Sequence, residues 1–239
     1  AGTIYALSTL GSILGTFLPT LLVIPRLGTS NTFLLCSLVL LVVSLAGLFS
    51  RLGARAAWYL LLPLLIFLLW LLLPGGPVKP VPGLIYEKES SYNYIQVADQ
   101  GGRRVLMLNE GQAVHSAYRP GNVLSGGVWD YFLLAPYFGA FPDPVQMDRI
   151  CMIGLAAGTA SKEYTAIYGP VAIDGVELDP EIVGVGRRFF AMDEPNLQVY
   201  VEDGRYFLRR TDHTYDVIIA DAYRQPYICL LYTSDAADE

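Results

Sequence analysis

The first 76 residues contain three arginines and not one Asp, Glu or Lys, while every acid in the chain, 22 in all, and 13 basic residues lie beyond them. A stretch so empty of charge cannot present an ordinary water-facing surface. Three apolar runs within it, at about 4–24, 32–49 and 56–73, each approach the roughly 20 residues that cross a bilayer core. The spacing predicts three transmembrane helices in residues 1–74, separated first by Pro25, Arg26 and Gly28 and then by Arg51, Gly53 and Arg55. Gly11 and Gly15 stand four apart, as in surfaces where helix backbones approach closely, although a smooth helix face without a special partner reads the same way. No charged residue falls inside a run, so nothing resembles an ion or proton path. Arginine placement leaves the orientation open, because Arg51 and Arg55 on one side balance Arg26 and Lys79 on the other.

A stiff Pro/Gly linker follows at 75–83, and beyond it the chain reads as globular and acidic. Its net charge of -6 excludes the basic footprint that nucleic-acid binding requires. Cys36, Cys151 and Cys229 share no paired spacing, and His115 and His213 are isolated, so neither a disulfide framework nor a metal site is expected. Residues 84–145 read as a small β-hairpin layer, turning at Asp99-Gln100-Gly101-Gly102, followed by a helix over 128–141 that Pro136 would kink or shorten. Residues 146–228 then alternate strands at 149–154, 171–178, 197–201 and 215–220 with helices at 159–168, 180–190 and 204–210. That rhythm predicts an α/β, Rossmann-like parallel sheet of the class I methyltransferase kind. Such sheets take ligands at the carboxyl ends of their strands.

The candidate residues sit at those ends. After the first strand, Gly154-Leu155-Ala156-Ala157-Gly158-Thr159 allows a sharp turn and close approach of a ligand to the backbone, with Gly154 and Gly158 at its two ends. Glu177, about 20 residues on, is placed to accept from both hydroxyls of a ribose. Asp203 ends the third strand and Asp221 the fourth. Each has a plainer reading: Glu177 as a solvated strand-end acid, Asp179 as the N-cap of a helix with Pro180 at its first position, and Asp203 as a cap of the short helix after it. The two histidines read as ordinary polar residues, and Tyr86, Tyr92 and Tyr94 as hairpin packing.

Glu87-Lys88-Glu89-Ser90-Ser91-Tyr92-Asn93-Tyr94-Ile95-Gln96-Val97 and Leu106-Met107-Leu108-Asn109-Glu110-Gly111-Gln112 resemble the start of the spermidine synthase family. Ile173-Asp174-Gly175-Val176-Glu177-Leu178-Asp179-Pro180 and Tyr215-Asp216-Val217-Ile218-Ile219-Ala220-Asp221 are similar to its second and fourth strands. With membrane spans in front, residues 1–228 look like the membrane-anchored branch of that family. The resemblance implies a polyamine aminopropyltransferase, in which an amine attacks the aminopropyl carbon of decarboxylated S-adenosylmethionine and no metal takes part. It also implies roles: Asp221 as the catalytic carboxylate, Glu177 on the ribose, Asp203 on the adenine, and Asn93 and Gln112 as cofactor-binding amides. The implied partners are a small-molecule amine and the lipid bilayer, with no nucleic acid and homo-oligomerisation left open. The three spans predict a multi-pass integral membrane protein, and a nucleotide-like cofactor implies that its soluble part faces the cytoplasm.

Two positions depart from the family pattern. Ala157 stands where the family has an acid for the ammonium of the aminopropyl group, and Arg224 lies near where a second acid would hold a diamine. A cation there repels a polyamine and suits a carboxylate, such as that of intact S-adenosylmethionine. A methyltransferase-like protein using that cofactor, and a non-catalytic membrane-tethered domain, therefore remain as alternatives. The sequence opens on Ala1 and reads as a piece of a longer protein. Residues 229–239 resemble translated adapter read-through and are expected to be non-native, which would leave the sheet truncated after its fourth strand and this polypeptide inactive.

Overall fold

The computed structural model describes residues 2–72, 77–109, 111, 113–138 and 146–222. They form two compact units, residues 1–81 with 88–91, and residues 82–87 with 92–239.

The first unit is helical from Gly2 to Leu72, a 71-residue run long and apolar enough to cross a membrane. The three separate helices expected from sequence are joined here into one run with local breaks. Helix α1 (Gly2–Leu18) passes through a π-helical turn at Pro19–Val23 into α2 (Ile24–Leu52). Gly28 kinks α2 by adopting φ 79°. Gly53, at φ 56°, ends α2, and a 3-10 stretch at Gly53–Leu60 leads into α3 (Leu61–Leu72). The breaks therefore fall at two of the glycines expected to punctuate the runs. The π-helical and 3-10 turns keep backbone bonding going across the expected gaps, which is why the run does not separate. Thr9, Thr16, Thr20, Asn31 and Thr32 each donate a side-chain bond to a carbonyl one turn back in the same run. Polar groups satisfied so locally suit a solvent that offers no hydrogen bonds. The large apolar side chains of α1 and α3 are correspondingly exposed, Leu7 and Leu71 among them.

The second unit carries two sheets of four strands each. The expected hairpin is in fact a four-stranded layer in the order β1 (Leu84–Glu89), β2 (Tyr94–Gln100), β3 (Arg103–Leu108) and β4 (Val114–Tyr118). β2 and β3 pair antiparallel with Val97 opposite Leu106, and β4 pairs antiparallel with β3. The helix expected over 128–141 is reduced to α4 (Trp129–Phe132) and a 3-10 turn at Ala135–Phe138. Pro136, buried within that turn, lacks the N–H that a continuing α-helix needs.

From Arg149 the alternation read from sequence appears nearly residue for residue: β5 (Arg149–Ile153), α5 (Thr159–Tyr168), β6 (Ala172–Glu177), α6 (Pro180–Phe189), β7 (Leu197–Val201), α7 (Gly204–Arg210) and β8 (Val217–Ala220). Local chemistry fixes the boundaries. Asp179 caps α6, accepting from the Glu181 N–H with Pro180 in the first turn, and Asp203 caps α7. The strands run parallel in the order β7-β6-β5-β8. The chain thus builds outward from β5 in one direction and then returns to add β8 on the other side.

Ile150, Met152, Tyr164, Ile173 and Met192 form the core against this parallel sheet. A second cluster joins the layers: Ile95, Val97 and Leu106 of the antiparallel sheet pack with Ala157, Ile182, Val185 and Phe190. Each such aliphatic burial contributes about 1.5–3 kcal/mol, so the turn at 154–158 is pinned between the two sheets.

Candidate functional site

The order β7-β6-β5-β8 reverses at β5, which leaves a crevice beyond the carboxyl ends of β5 and β8. Gly154 and Asp221 flank it. The Asp221 N–H donates to the Ile153 carbonyl at 2.9 Å, and a Cβ on Gly154 would lie 2.6 Å from the Asp221 carbonyl oxygen. Gly154 also sits at φ 81°, where only glycine is at ease. Gly158 repeats the pattern at φ 82°, and a Cβ there would fall 2.6 Å from Met192 Cγ. Between them Ala156 is held at φ 50°, an uncommon conformation for a residue with a side chain and one that no sequence signal announced.

Glu177 closes this turn from β6. Its Oε2 accepts from the Ala156 N–H at 2.9 Å and its Oε1 from the Asp179 N–H at 3.1 Å. Burial pushes the carboxyl up, while those backbone bonds pull it back toward the charged form. Asp179 Oδ2 in turn accepts from Asn93 Nδ2 at 3.1 Å, and Asn93 Oδ1 from Asn109 Nδ2 at 3.0 Å. One continuous hydrogen-bonded line therefore runs from the antiparallel sheet through Asn93, Asp179 and Glu177 to the turn.

Asp221 lines a small cavity with Trp129, Phe132, Gly154, Leu155 and Ile219. Burial raises its carboxyl above the ordinary aspartate range, and a bond from the Trp129 side chain opposes that rise. Trp129, almost wholly buried at the start of α4, carried no sequence signal as a site residue because only the tertiary fold sets it against Asp221.

The remaining candidates are placed as follows. Asp203 lies at the end of β7, exposed, with Oδ1 accepting from the Arg205 and Tyr206 N–H groups at 3.0 Å each. Ala157 is fully buried in the core that joins the sheets, its N–H donating to Ser116 Oγ at 2.9 Å. Gln112, Arg224 and the tail 229–239 lie outside the described residues. His213, read from sequence as an ordinary polar residue, joins Arg149 and Tyr215 around the buried Asp174 near the amino-terminal ends of β5 and β8. Their bonds to its carboxylate measure 3.1, 2.7 and 2.8 Å, the compensation that a buried acid demands.

Residues 146–229 match the spermine/spermidine synthase domain. A probable polyamine aminopropyl transferase of Bifidobacterium longum is 34% identical over 142 residues, which cover 59% of this chain and 30% of that relative. The chain therefore spans less than a third of the length of this curated relative. A probable spermidine synthase of Corynebacterium glutamicum superposes with a TM-score of 0.49 at 21% identity, over 62% of this chain and 54% of the other. Spermidine synthase in complex with the transition-state analogue AdoDATO gives 0.46 at 17% identity, over 58% and 47%.

Proposed function

We propose that this chain, through residues 146–229 a member of the spermine/spermidine synthase family, is part of a membrane-anchored aminopropyltransferase that moves an aminopropyl group from decarboxylated S-adenosylmethionine to an amine. The observation that carries the reading is the position of Asp221, a buried carboxyl whose proton affinity is raised, beside the glycine turn where strand order reverses. In the reaction the amine lone pair forms a C–N bond to the aminopropyl carbon, the C–S bond breaks, and methylthioadenosine leaves as a neutral thioether. The proton surrendered by the amine passes to Asp221, and a carboxyl raised by burial is the better base for it.

Glu177 holds the ribose. Its carboxylate accepts the Ala156 and Asp179 N–H groups and a third backbone bond from Leu178, which leaves about one of its roughly four lone-pair sites for a ribose hydroxyl. Asp203 takes the adenine edge, while Gly154 and Gly158 let the cofactor approach the turn and Asn93 supplies an amide beside it; the family resemblance assigns Gln112 a cofactor-binding role as well. The helical run 2–72 anchors the protein. At 71 residues it is several times the length of about 20 that one crossing needs, so breaks at Gly28 and Gly53 divide it into three passes, with the site facing the cytoplasm.

One observation favours a second reading. Ala157 is sealed in the core and offers no carboxylate for the ammonium of the aminopropyl group, which suits a methyltransferase-like protein binding intact S-adenosylmethionine. Calorimetric titration of the chain with each cofactor separates the two. Tighter binding of the decarboxylated form is expected, together with loss of transfer but not of binding when D221N is introduced into the whole protein. Preference for the intact form establishes the second reading. Failure to bind either, with D221N silent, leaves a non-catalytic anchored domain.

A further inference from the structure

Away from the crevice, within the second unit, a buried acid meets a half-buried one. Glu163, on α5, is 1% exposed; its Oε1 accepts from the Ser125 N–H at 3.0 Å, whereas its Oε2 is buried with no partner. The neighbouring carboxyl is Asp130 of α4. Asp130 gathers the loop before that helix, accepting from Ser125 N–H at 3.1 Å, Ser125 Oγ at 2.6 Å and Gly126 N–H at 3.1 Å. A buried acceptor without a donor is costly, and a second carboxylate beside it, that of the half-buried Asp130, adds repulsion. A single proton on Glu163 removes both problems, because Oε2 then becomes a donor and Asp130 its acceptor.

The loop so gathered leads to the crevice. A Cβ on Gly127 would lie 2.6 Å from Trp129 Cζ3, so the backbone of Gly127 rests against the indole whose side chain bonds Asp221. We propose that Glu163 and Asp130 form a proton-dependent latch that positions Trp129 against Asp221. The proposal rests on the reading of Asp221 as the reacting carboxylate only for its consequence in catalysis; the latch itself does not depend on that reading.

The titration fits. Burial pushes the Glu163 carboxyl up to about 7, with Ser125 opposing and Asp130 reinforcing. Asp130 is also pushed up by burial, but bonds from Ser125, Glu163 and Gly126 outweigh this and hold it below its ordinary range. Other charges lie around the pair. Lys162 on the same helix is bonded to Glu194 and the Ala191 carbonyl, Arg103 of β3 reaches the Ser125 carbonyl at 3.5 Å, and Arg119 after β4 lines the neighbouring cavity.

The test uses the full 239-residue chain with W58F and W70F, which leave Trp129 as its single tryptophan. Its emission is expected to shift as pH rises through about 7, where the proton leaves Glu163. E163Q supplies a permanent amide donor and should hold emission at its low-pH value throughout, whereas E163A should hold it at the high-pH value. An emission that does not move with pH in the parent overturns the proposal, as does a shift that persists unchanged in E163Q, since a group other than Glu163, such as Asp221 beside the indole, would then be responsible. Should E163A fail to fold, E163Q still decides. Because fluorescence needs neither cofactor nor turnover, a failed latch is distinguishable from a failed assignment of Asp221. In the whole enzyme E163Q should flatten the pH profile of kcat across the same range and leave cofactor KM unchanged.

Discussion

The helical run and the parallel-sheet domain solve the same problem, the satisfaction of polar groups, in opposite ways. In the run, threonines at 9, 16, 20 and 32 bond carbonyls one turn back. In the sheet domain the informative bonds join distant stretches: Asn93 to Asp179, Arg149 to Asp174, Ser125 to Glu163. The first arrangement takes no hydrogen bond from its surroundings, which is what a bilayer would require of it. The second makes each buried acid a fastener between elements, and it fails if either end is removed.

Deleting residues 2–72 should have the largest effect. The remainder should move from the membrane pellet to the soluble fraction, and continued pelleting of a folded remainder would mean that the run is not the anchor. A milder form places one charge in the run: L65E costs about 2.5–3.5 kcal/mol at a helix centre in a bilayer and should lower membrane insertion.

Within the sheet domain, G154A should cost about 3 kcal/mol or more, since it adds both a positive-φ penalty and a Cβ at 2.6 Å from a backbone carbonyl. Denaturant unfolding reads this directly, whereas G11A, whose Cβ meets nothing within 4 Å, should be nearly silent. Next comes pH. Folded Glu163 binds its proton more tightly than the unfolded chain does, so the folded state carries the extra proton between about 4.5 and about 7. Its contribution therefore falls as pH rises through that window, by about 3 kcal/mol, and E163Q should remove the slope. Smaller still are the caps. D179A loses a cap and the bond from Asn93, for about 2 kcal/mol, while D203A loses an exposed cap for about 1 kcal/mol. Equal losses at the two positions would show that the line through Asn93 contributes nothing.

The parallel sheet was legible because its signals are local. Apolar runs such as Val217–Ala220 end at acids or glycines, and Asp179 and Asp203 mark helix starts in the sequence itself. Strand β4 was not, for it is short and places the polar Ser116 inside, where its hydroxyl accepts from Ala157 41 residues away. The neighbouring Ala117 exchanges bonds with the Thr159 hydroxyl, 42 residues along the chain. The same division runs through the site. Gly154, Glu177 and Asp221 follow from strand ends, and the strand order brings Gly154 and Asp221 side by side. Trp129, the left-handed Ala156 and the pair Glu163–Asp130 arise only when α4, α5 and the loop before α4 are folded together, and no spacing encodes that.

The line from Asn109 through Asn93, Asp179 and Glu177 to Ala156 also makes a statement about motion. Opening the turn releases Glu177, and releasing Glu177 loosens Asp179 and the strand edge beyond it. Amide hydrogen exchange at Ala156 should then proceed through the same cooperative opening as exchange at Tyr94, whose N–H is held by Asn109 Oδ1 at 3.1 Å. The floor of the crevice and the rim of the antiparallel sheet would breathe as one body.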